Sequence, residues 1–365
     1  MKFFIALLTF FFPIISSSAQ SLQIEKELNS SYYEFHEFEI NLTSDKIIMT
    51  KNNQGTYIQN IKGKKVYKTS LGSNYFLIAN FQFPEQKTDY PVEIKVFNRS
   101  AALIFSYKFS APYDLPHPLF TVNDDGILSL FDPLSFKVKI ISKSSETEIE
   151  LEKEVPFEME KASFIQMNQD VLFILTSQSA LDITENASNV KLYKVNLLDL
   201  SANKKVLDYN TPTLLKIIDG NVFISGVKFE NLKSVGKTIK YDFQLNQLSS
   251  NEKIIEKLIS HGNKFYAKYF NTIYELKNDL TVSNEKKLIK GERIFDIAVS
   301  NEKLIVVTNF SGENNYYSFF PDLSIDFKES LDIFGVDRIE DLSISVNHLI
   351  IRHNSKSVKI KSNRN

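Results

Sequence analysis

The stretch LFTVNDDGILSLFDPLSFKVKIISKSSETEIEL, residues 119–151, decides the fold of this chain. It contains four short apolar segments separated by polar turns: Leu119-Val122, Ile127-Phe131, Phe136-Ile141 and Thr147-Leu151. The dipeptide Asp125-Gly126 stands between the first two segments, and Asp-Gly between apolar runs is a strong hairpin signal. In the third segment, apolar residues alternate with lysines, which is typical of a half-exposed strand. The stretch therefore predicts a four-stranded antiparallel sheet.

Strand-turn-strand pairs of this kind recur eight times, at intervals of roughly 35 to 50 residues. The pairs begin near residues 37, 74, 119, 163, 214, 257, 294 and 339. Such a period is typical of a propeller or a solenoid built from one repeated unit. A parallel β-helix would have repeats of about 20 residues, and a row of β-sandwiches would need linkers between its domains. Both stay open as alternatives to the favoured all-β propeller of seven or eight four-stranded blades. The blade count is open because the first two units share a weak boundary around residues 66–73.

The two ends of the repeated region complement each other. The last unit supplies only three strands and ends at Ser357-Lys361, whereas Leu22-Leu28 near the start belongs to no unit. Pairing of these segments would close the ring and remove two open sheet edges, which are otherwise templates for aggregation. The sequence therefore predicts closure of the ring by the N-terminal strand.

The first 19 residues have the layout of a secretory signal peptide. Lys2 precedes an apolar run from Phe3 to Ile15, and small residues follow up to Ala19. A run of 13 residues is too short to span a bilayer, which takes about 20. We therefore expect residues 1–19 to be removed and residues 20–365 to form one propeller domain that is secreted, periplasmic or held in the cell envelope, without membrane insertion.

Composition excludes several classes of function. The chain has 43 basic and 44 acidic residues and a net charge of -1, so no strong field attracts nucleic acid or an anionic membrane. Cysteine is absent, which excludes disulfides, thiol nucleophiles and thiolate metal sites. Phenylalanine is abundant, with 30 residues, and tryptophan is absent, so phenyl rings are expected to fill the spaces between sheets.

Local motifs do not predict a cofactor, a metal or a catalytic residue. The segment Thr121-Gly126 with Asp132 superficially resembles a calcium loop, but its first position is Thr and a hairpin explains it. Gly236-Lys237-Thr238 resembles the end of a P-loop, but a strand follows where that motif needs a helix. His348 and His353 are five positions apart in a predicted strand, and an odd spacing places their side chains on opposite faces.

The repeated units resemble those of secreted bacterial β-propeller proteins, and the richness in Phe, Ile, Lys and Asn resembles exported proteins of Bacteroidetes. No named blade family is matched, because WD40 blades carry a Trp-Asp pair and Kelch blades a Gly-Gly pair, and this chain has neither. The resemblance implies a ring with a central channel and one loop-rich face.

Loop lengths give the main functional indication. Connections between second and third strands are predicted to be long at Phe83-Pro91, Gln178-Asn189, Lys228-Lys237 and Phe310-Asn315. Long loops on a rigid scaffold often carry binding residues. Between the second and third units, residues 110–118 contain three prolines together with Tyr113, Asp114 and His117, which are the candidate ligand-binding residues.

These patterns favour a secreted, non-enzymatic scaffold that binds an extracellular protein or glycan at the loop-rich face. The alternative is an extracellular hydrolase or lyase that acts on polysaccharide or peptide in the central channel. The oligomeric state is left open.

Overall fold

The structure, a computed structural model, describes residues 22–362 except 44–45, 52–53, 61–65, 72–73, 83–88, 112–117, 134, 152–159, 179–189, 231–232, 301, 337–338, 345–347 and 354–355. Within these residues, short alternating segments form strands that pair with their neighbours in sequence into eight four-stranded antiparallel sheets. The chain is therefore an eight-bladed, all-β propeller, which decides between the two predicted blade counts.

Blades 1 to 4 contain the strands β2 (Ser31–Phe35), β3 (Phe38–Leu42), β4 (Lys46–Lys51), β5 (Gln54–Asn60); β6 (Val66–Leu71), β7 (Tyr75–Phe81), β8 (Tyr90–Asn98), β9 (Leu103–Ala111); β10 (Leu119–Val122), β11 (Leu128–Asp132), β12 (Lys137–Ile141), β13 (Glu146–Glu150); and β14 (Glu160–Asn168), β15 (Val171–Gln178), β16 (Val190–Asn196), β17 (Ala202–Leu207).

Blades 5 to 8 contain the strands β18 (Thr211–Ile218), β19 (Asn221–Glu230), β20 (Lys233–Tyr241), β21 (Gln247–Asn251); β22 (Lys257–His261), β23 (Lys264–Tyr269), β24 (Thr272–Lys277), β25 (Val282–Lys287); β26 (Arg293–Ser300), β27 (Lys303–Phe310), β28 (Glu313–Phe319), β29 (Ile325–Ser330); and β30 (Asp341–Ile344), β31 (His348–His353), β32 (Lys356–Ser362) with β1 (Leu22–Leu28). A 3-10 turn, Asp332–Phe334, lies between blades 7 and 8. No helix in the described part of the chain is long and apolar enough to cross a membrane.

Closure of the ring by the N-terminal strand is confirmed. Strand β1 pairs antiparallel with β32, with Leu22 opposite Ser362 and Leu28 opposite Ser357. Blade 8 is thus built from both ends of the chain, and the edge that β32 would otherwise expose is covered.

In the first two blades, the order of the strands was predicted one strand out of step. The segments near residues 37 and 74, predicted as first strands, are the second strands β3 and β7. Their true first strands are β2 and β6, which precede them. The hairpin at Asp124-Gly126 is confirmed, and its turn is closed by Asn123 Oδ1, which accepts hydrogen bonds from the backbone N–H groups of Asp125 and Ile127.

Strand direction defines two faces of the ring. From blade 2 to blade 8, the first strands of successive blades contact one another around the centre. Connections from second to third strands and from blade to blade emerge at one face, which we call the loop face. Turns from first to second and from third to fourth strands emerge at the opposite face, which we call the turn face.

Apolar packing joins the blades. The described residues form seven apolar clusters, each between two successive blades from 1–2 through 7–8. Phenyl rings fill these spaces as predicted: Phe76 is fully buried, and its centroid lies 5.0 Å from that of Phe97 and 4.6 Å from that of Phe35. Offset and tilted ring pairs of this kind add to the stabilisation from burial.

The interface between blades 8 and 1 is different, because polar contacts dominate it among the described residues. Lys359 Nζ lies 2.7 Å from Glu34 Oε1 and 3.5 Å from Glu25 Oε2. The buried hydroxyl of Tyr32 donates to Glu34 Oε1 at 2.9 Å. Ser357 Oγ donates to the Ser30 carbonyl at 2.8 Å and accepts from the Tyr32 N–H at 2.9 Å. We call this interface the polar seam.

The polar seam makes ring stability depend on pH. Burial alone would raise the pKa of Glu34, but hydrogen bonds from Lys359 and Tyr32 outweigh it, so the pKa lies below its ordinary value of 4.5. A carboxylate whose pKa is lowered by folding stabilises the folded state above its unfolded pKa, and this contribution is lost as pH falls through the folded pKa. The melting temperature of the wild type is therefore expected to fall below about pH 4.5 more steeply than that of Glu34→Gln.

Thermal unfolding between about pH 6 and pH 3 measures this difference. The matched control is Glu150→Gln, at an exposed position on the outer strand of blade 3. Its pH profile should follow that of the wild type. Equal slopes for Glu34→Gln and the wild type would contradict the role given to Glu34.

Candidate ligand-binding site

The predicted binding residues Tyr113, Asp114 and His117 lie at 112–117, outside the described residues. The strands on either side, β9 and β10, place this blade-to-blade connection on the loop face. The assignment of these three residues stays a prediction. The predicted signal peptide, residues 1–19, also lies outside the described residues.

Two of the four connections predicted to be long are short. Only residues 231–232 separate β19 from β20, and only Ser311 and Gly312 separate β27 from β28. The longer connections between strands that end on the loop face are those at 82–89 in blade 2, 179–189 in blade 4, and the blade-to-blade segments 112–118, 151–159 and 331–340. Connections on the loop face therefore differ in length from blade to blade.

A pocket of about 370 Å³ opens at the loop-face end of blade 8. Its walls come from three parts of the chain: the end of β1 with Asn29, the facing ends of β31 and β32, and the 3-10 turn with Gly335. Gly335 has φ 70°, and its N–H donates to the Asp332 carbonyl, which ends the 3-10 turn beside the pocket. Both ends of the repeated region therefore contribute to one cavity.

His353 is the unusual residue of this pocket. Its side chain continues the stripe formed by Leu349 and Ile351, which belongs to the apolar cluster between blades 7 and 8. The residue is 6% exposed, and neither Nδ1 nor Nε2 has a hydrogen-bond partner among the described residues. A buried polar group without a partner costs about 1–3 kcal/mol. A fold retains such a group at a cost in stability, and sites of this kind are often functional.

The expectation that His348 and His353 lie on opposite faces of one strand is confirmed. His348 faces the polar seam, where its Nε2 lies 2.9 Å from Glu25 Oε2, whereas His353 lines the pocket on the other side of the sheet. The sequence drew attention to His353 only as a possible metal ligand. In the sequence, His353 follows the aliphatic residues Leu349 and Ile351 at every second position. This alternation indicates a buried imidazole.

The remaining pocket residues combine polar and apolar groups. Glu27, Asn29 and Lys356 are exposed, while Val358 is buried and Phe334 is partly buried. The pocket thus has a buried imidazole in its lining, an apolar wall, and one carboxylate and one ammonium at its exposed rim. This arrangement can bind a small amphipathic ligand.

A second depression, of about 490 Å³, lies on the turn face between blades 5 and 6. Its most buried cation, Lys240, is already partnered, since Nζ donates to Asn278 Oδ1 at 2.7 Å and to the Asn278 carbonyl at 3.1 Å. Burial lowers the pKa of Lys240. These contacts join two blades and explain the lysine without a ligand.

The first strands of blades 5 to 7 carry three charged side chains close to one another. Lys257 Nζ lies 3.0 Å from Asp296 Oδ1, and burial together with the neighbouring Lys257 lowers the pKa of Lys216. Glycoside hydrolysis generally needs two carboxyl groups about 5 to 10 Å apart. A single carboxylate beside two lysines does not supply that pair, so these strands do not support the hydrolase alternative.

Histidine, aspartate and glutamate side chains do not form a group of three that could hold a metal ion in the part of the chain that the structure describes. The strand predicted to begin at Thr238, where a P-loop would need a helix, is confirmed, since residues 238–241 belong to β20.

No protein-family model and no curated protein sequence matches the chain. Among solved structures, the chain is similar to KlHsv2 with loop 6CD replaced by a Gly-Ser linker, with a TM-score of 0.51 and 12% identity over 79% of this chain and 89% of that one. It also matches the Pan2 WD40 domain of Neurospora crassa (TM-score 0.46, 10% identity, 92% of this chain and 89% of that one) and apo AztD from Citrobacter koseri (TM-score 0.46, 11% identity, 90% and 88%). At 12% identity the likeness to KlHsv2 shows the fold alone: the chain is a β-propeller protein with distant structural similarity to other propellers.

Proposed function

We propose that this chain is an exported, non-enzymatic β-propeller of a bacterial cell envelope that binds an extracellular protein or glycan at its loop face. The observation that carries the proposal is the unpartnered, buried imidazole of His353 in a pocket on that face. The propeller fold commonly serves as a binding scaffold, and its blade-to-blade connections display residues on a rigid frame. Export is supported by the signal-peptide layout of residues 1–19.

Blocking one face at a time tests the proposal, and the absence of cysteine makes this possible. Lys290→Cys places a thiol on the loop face between blades 6 and 7, and Lys143→Cys places one on the turn face of blade 3. Both lysines are exposed. Coupling a large maleimide-polyethylene glycol to each variant should abolish binding for Lys290→Cys and leave it unchanged for Lys143→Cys.

The probes are a panel of purified bacterial polysaccharides and the soluble envelope proteins of a Bacteroidetes culture, measured by biolayer interferometry. The proposal is contradicted if coupling abolishes binding only for the turn-face variant. It is also contradicted if neither variant binds any probe before coupling. Turnover of a polysaccharide or peptide in the same samples would favour the hydrolase or lyase instead.

A further inference from the structure

We infer that the blade 8 pocket binds one uncharged, polyhydroxylated ring the size of a monosaccharide, as the terminal residue of a glycan. The inference rests on the proposed function and names the ligand class for its loop face.

The size of the pocket favours a single small ring. Small-molecule sites in proteins generally measure about 300 to 1,000 Å³, and this pocket, at about 370 Å³, is near the lower limit. The 3-10 turn and Gly335 wall it on the side of blade 7. An extended peptide would need a longer groove, such as an open sheet edge that it could join as a strand.

The polar groups of the pocket match hydroxyl groups. A neutral imidazole has one donor and one acceptor, and both nitrogens of His353 are buried and lack a partner among the described residues, so a hydroxyl reaches them once the pocket wall shifts by a side-chain rotation. The Asn29 side chain adds amide donors and a carbonyl acceptor at the rim. Hydroxyls both donate and accept, so a ligand that carries several of them can satisfy this mixed set, whereas a carboxylate or an ammonium group can satisfy only part of it.

The charges of the pocket disfavour a ligand with a net charge. Glu27 and Lys356 contribute one charge of each sign, and both are exposed at the rim. An anion would meet the carboxylate and a cation would meet the ammonium group, while a neutral polyol can accept from the lysine and donate to the glutamate. The imidazole lies deeper, where an unpaired ionic group would lose its hydration.

The apolar wall completes the match. Val358, Leu28 and the ring of Phe334 line the pocket beside His353. A sugar ring has C–H groups on its faces and hydroxyls on its edge, so it can pack on this wall while its edge reaches the imidazole and the amide. The negative face of an aromatic ring attracts such C–H groups.

Occupancy of the pocket is coupled to ring closure. Residues from β1 and residues from β31 and β32 line the same cavity, so a bound ligand contacts the closing strand and its partner together. A ligand that binds only the closed ring raises the apparent stability of the folded state. We therefore expect the cognate sugar to raise the melting temperature of the full chain.

The test titrates the full chain with glucose, galactose, mannose and N-acetylglucosamine, and separately with free glutamate, lysine and phenylalanine, by calorimetry and thermal shift. At least one sugar should bind at a concentration below about 10 mM and raise the melting temperature. The variant His353→Leu should weaken that binding by at least about tenfold while its own melting temperature rises, because it removes the unpartnered polar group from the apolar stripe. A purely structural role for His353 would lower the melting temperature instead.

The matched control is His261→Leu, which makes the same chemical change at a first-to-second-strand turn on the turn face. It should bind the sugar as the wild type does. Asn29→Ala, at an exposed pocket residue, serves as a second variant that leaves the core intact and should also weaken binding.

Three results overturn the inference: no sugar binds, an amino acid binds in place of the sugars, or the sugar binds His353→Leu and Asn29→Ala as tightly as the wild type. The proposed function fails separately. Suppose that coupling at Lys290→Cys blocks binding of a protein or polysaccharide probe, but that His353→Leu binds this probe normally. The loop face is then still the binding face, and only the ligand of this pocket is wrongly assigned.

Discussion

Replacing Leu22 by aspartate is expected to open the ring. Leu22 is 1% exposed, begins the closing strand β1, and packs in the apolar cluster between blades 7 and 8. The change removes about 2–3 kcal/mol of apolar burial and places a carboxylate where nothing compensates its lost hydration, at a further cost of several kcal/mol. Because domains of this kind are stable by only about 5–15 kcal/mol, we expect a lower melting temperature and a loss of cooperative unfolding.

The matched control is Gln23→Asp, at the next residue of the same strand, which is exposed. It introduces the same charge and should unfold close to the wild type. Chemical denaturation followed by far-ultraviolet circular dichroism measures both variants. If Leu22→Asp unfolds like Gln23→Asp, then closure by β1 contributes little to the stability of the ring.

Arg352→Lys is expected to destabilise the polar seam by about 2–4 kcal/mol even though the charge is kept. The Arg352 side chain is 6% exposed and contacts both blade 8 and blade 1. Within blade 8, its Nε donates to Asp341 Oδ2 at 2.9 Å. Towards blade 1, its Nη1 donates to the Tyr32 carbonyl at 2.8 Å, and its central carbon lies 4.2 Å from the centroid of the Tyr33 ring.

A lysine cannot make these contacts together, because an ammonium group lacks the planar fork of the guanidinium. Most of the loss should come from the Tyr32 carbonyl and the ring contact, since Asp341 is 57% exposed and regains water. Arg99→Lys, at an exposed turn of blade 2, is the matched control and should leave the free energy of unfolding unchanged. Equal stability of the two variants, measured by urea unfolding, would show that the Arg352 contacts do not join blades 8 and 1.

The sequence was sufficient to predict the repeated sheet, the all-β propeller and the pairing of Leu22-Leu28 with the last blade, because each rests on strand alternation and turn chemistry. The first strands of the first two blades were assigned wrongly, and for the first blade the reason is physical. Strand β2, with the sequence SYYEF, carries Tyr32 and Glu34 towards the polar seam and so lacks the apolar run by which first strands are recognised. Its partners, Lys359 and Arg352, lie more than 300 residues away in sequence.

Two turns could not be recognised from their residue types. Leu280 and Leu323 adopt left-handed backbone conformations, with φ 68° and 62°, at third-to-fourth-strand turns where glycine or asparagine is usual. Both are buried between blades, so apolar packing offsets the backbone strain. The pocket was likewise beyond sequence reasoning, since it depends on which segments meet at the end of blade 8.

The pairing of Leu22 with Ser362 determines how the ring can be attached to something else. Both residues lie at the turn-face end of blade 8, whereas Leu28 and Ser357 lie at the other end beside the pocket. A tether joined directly before Leu22 or directly after Ser362 is therefore attached on the side of the ring away from His353. Immobilised in this way, the ring presents its pocket to solvent, and a force that pulls Leu22 away from Ser362 breaks the β1–β32 hydrogen bonds one after another instead of shearing them all at once.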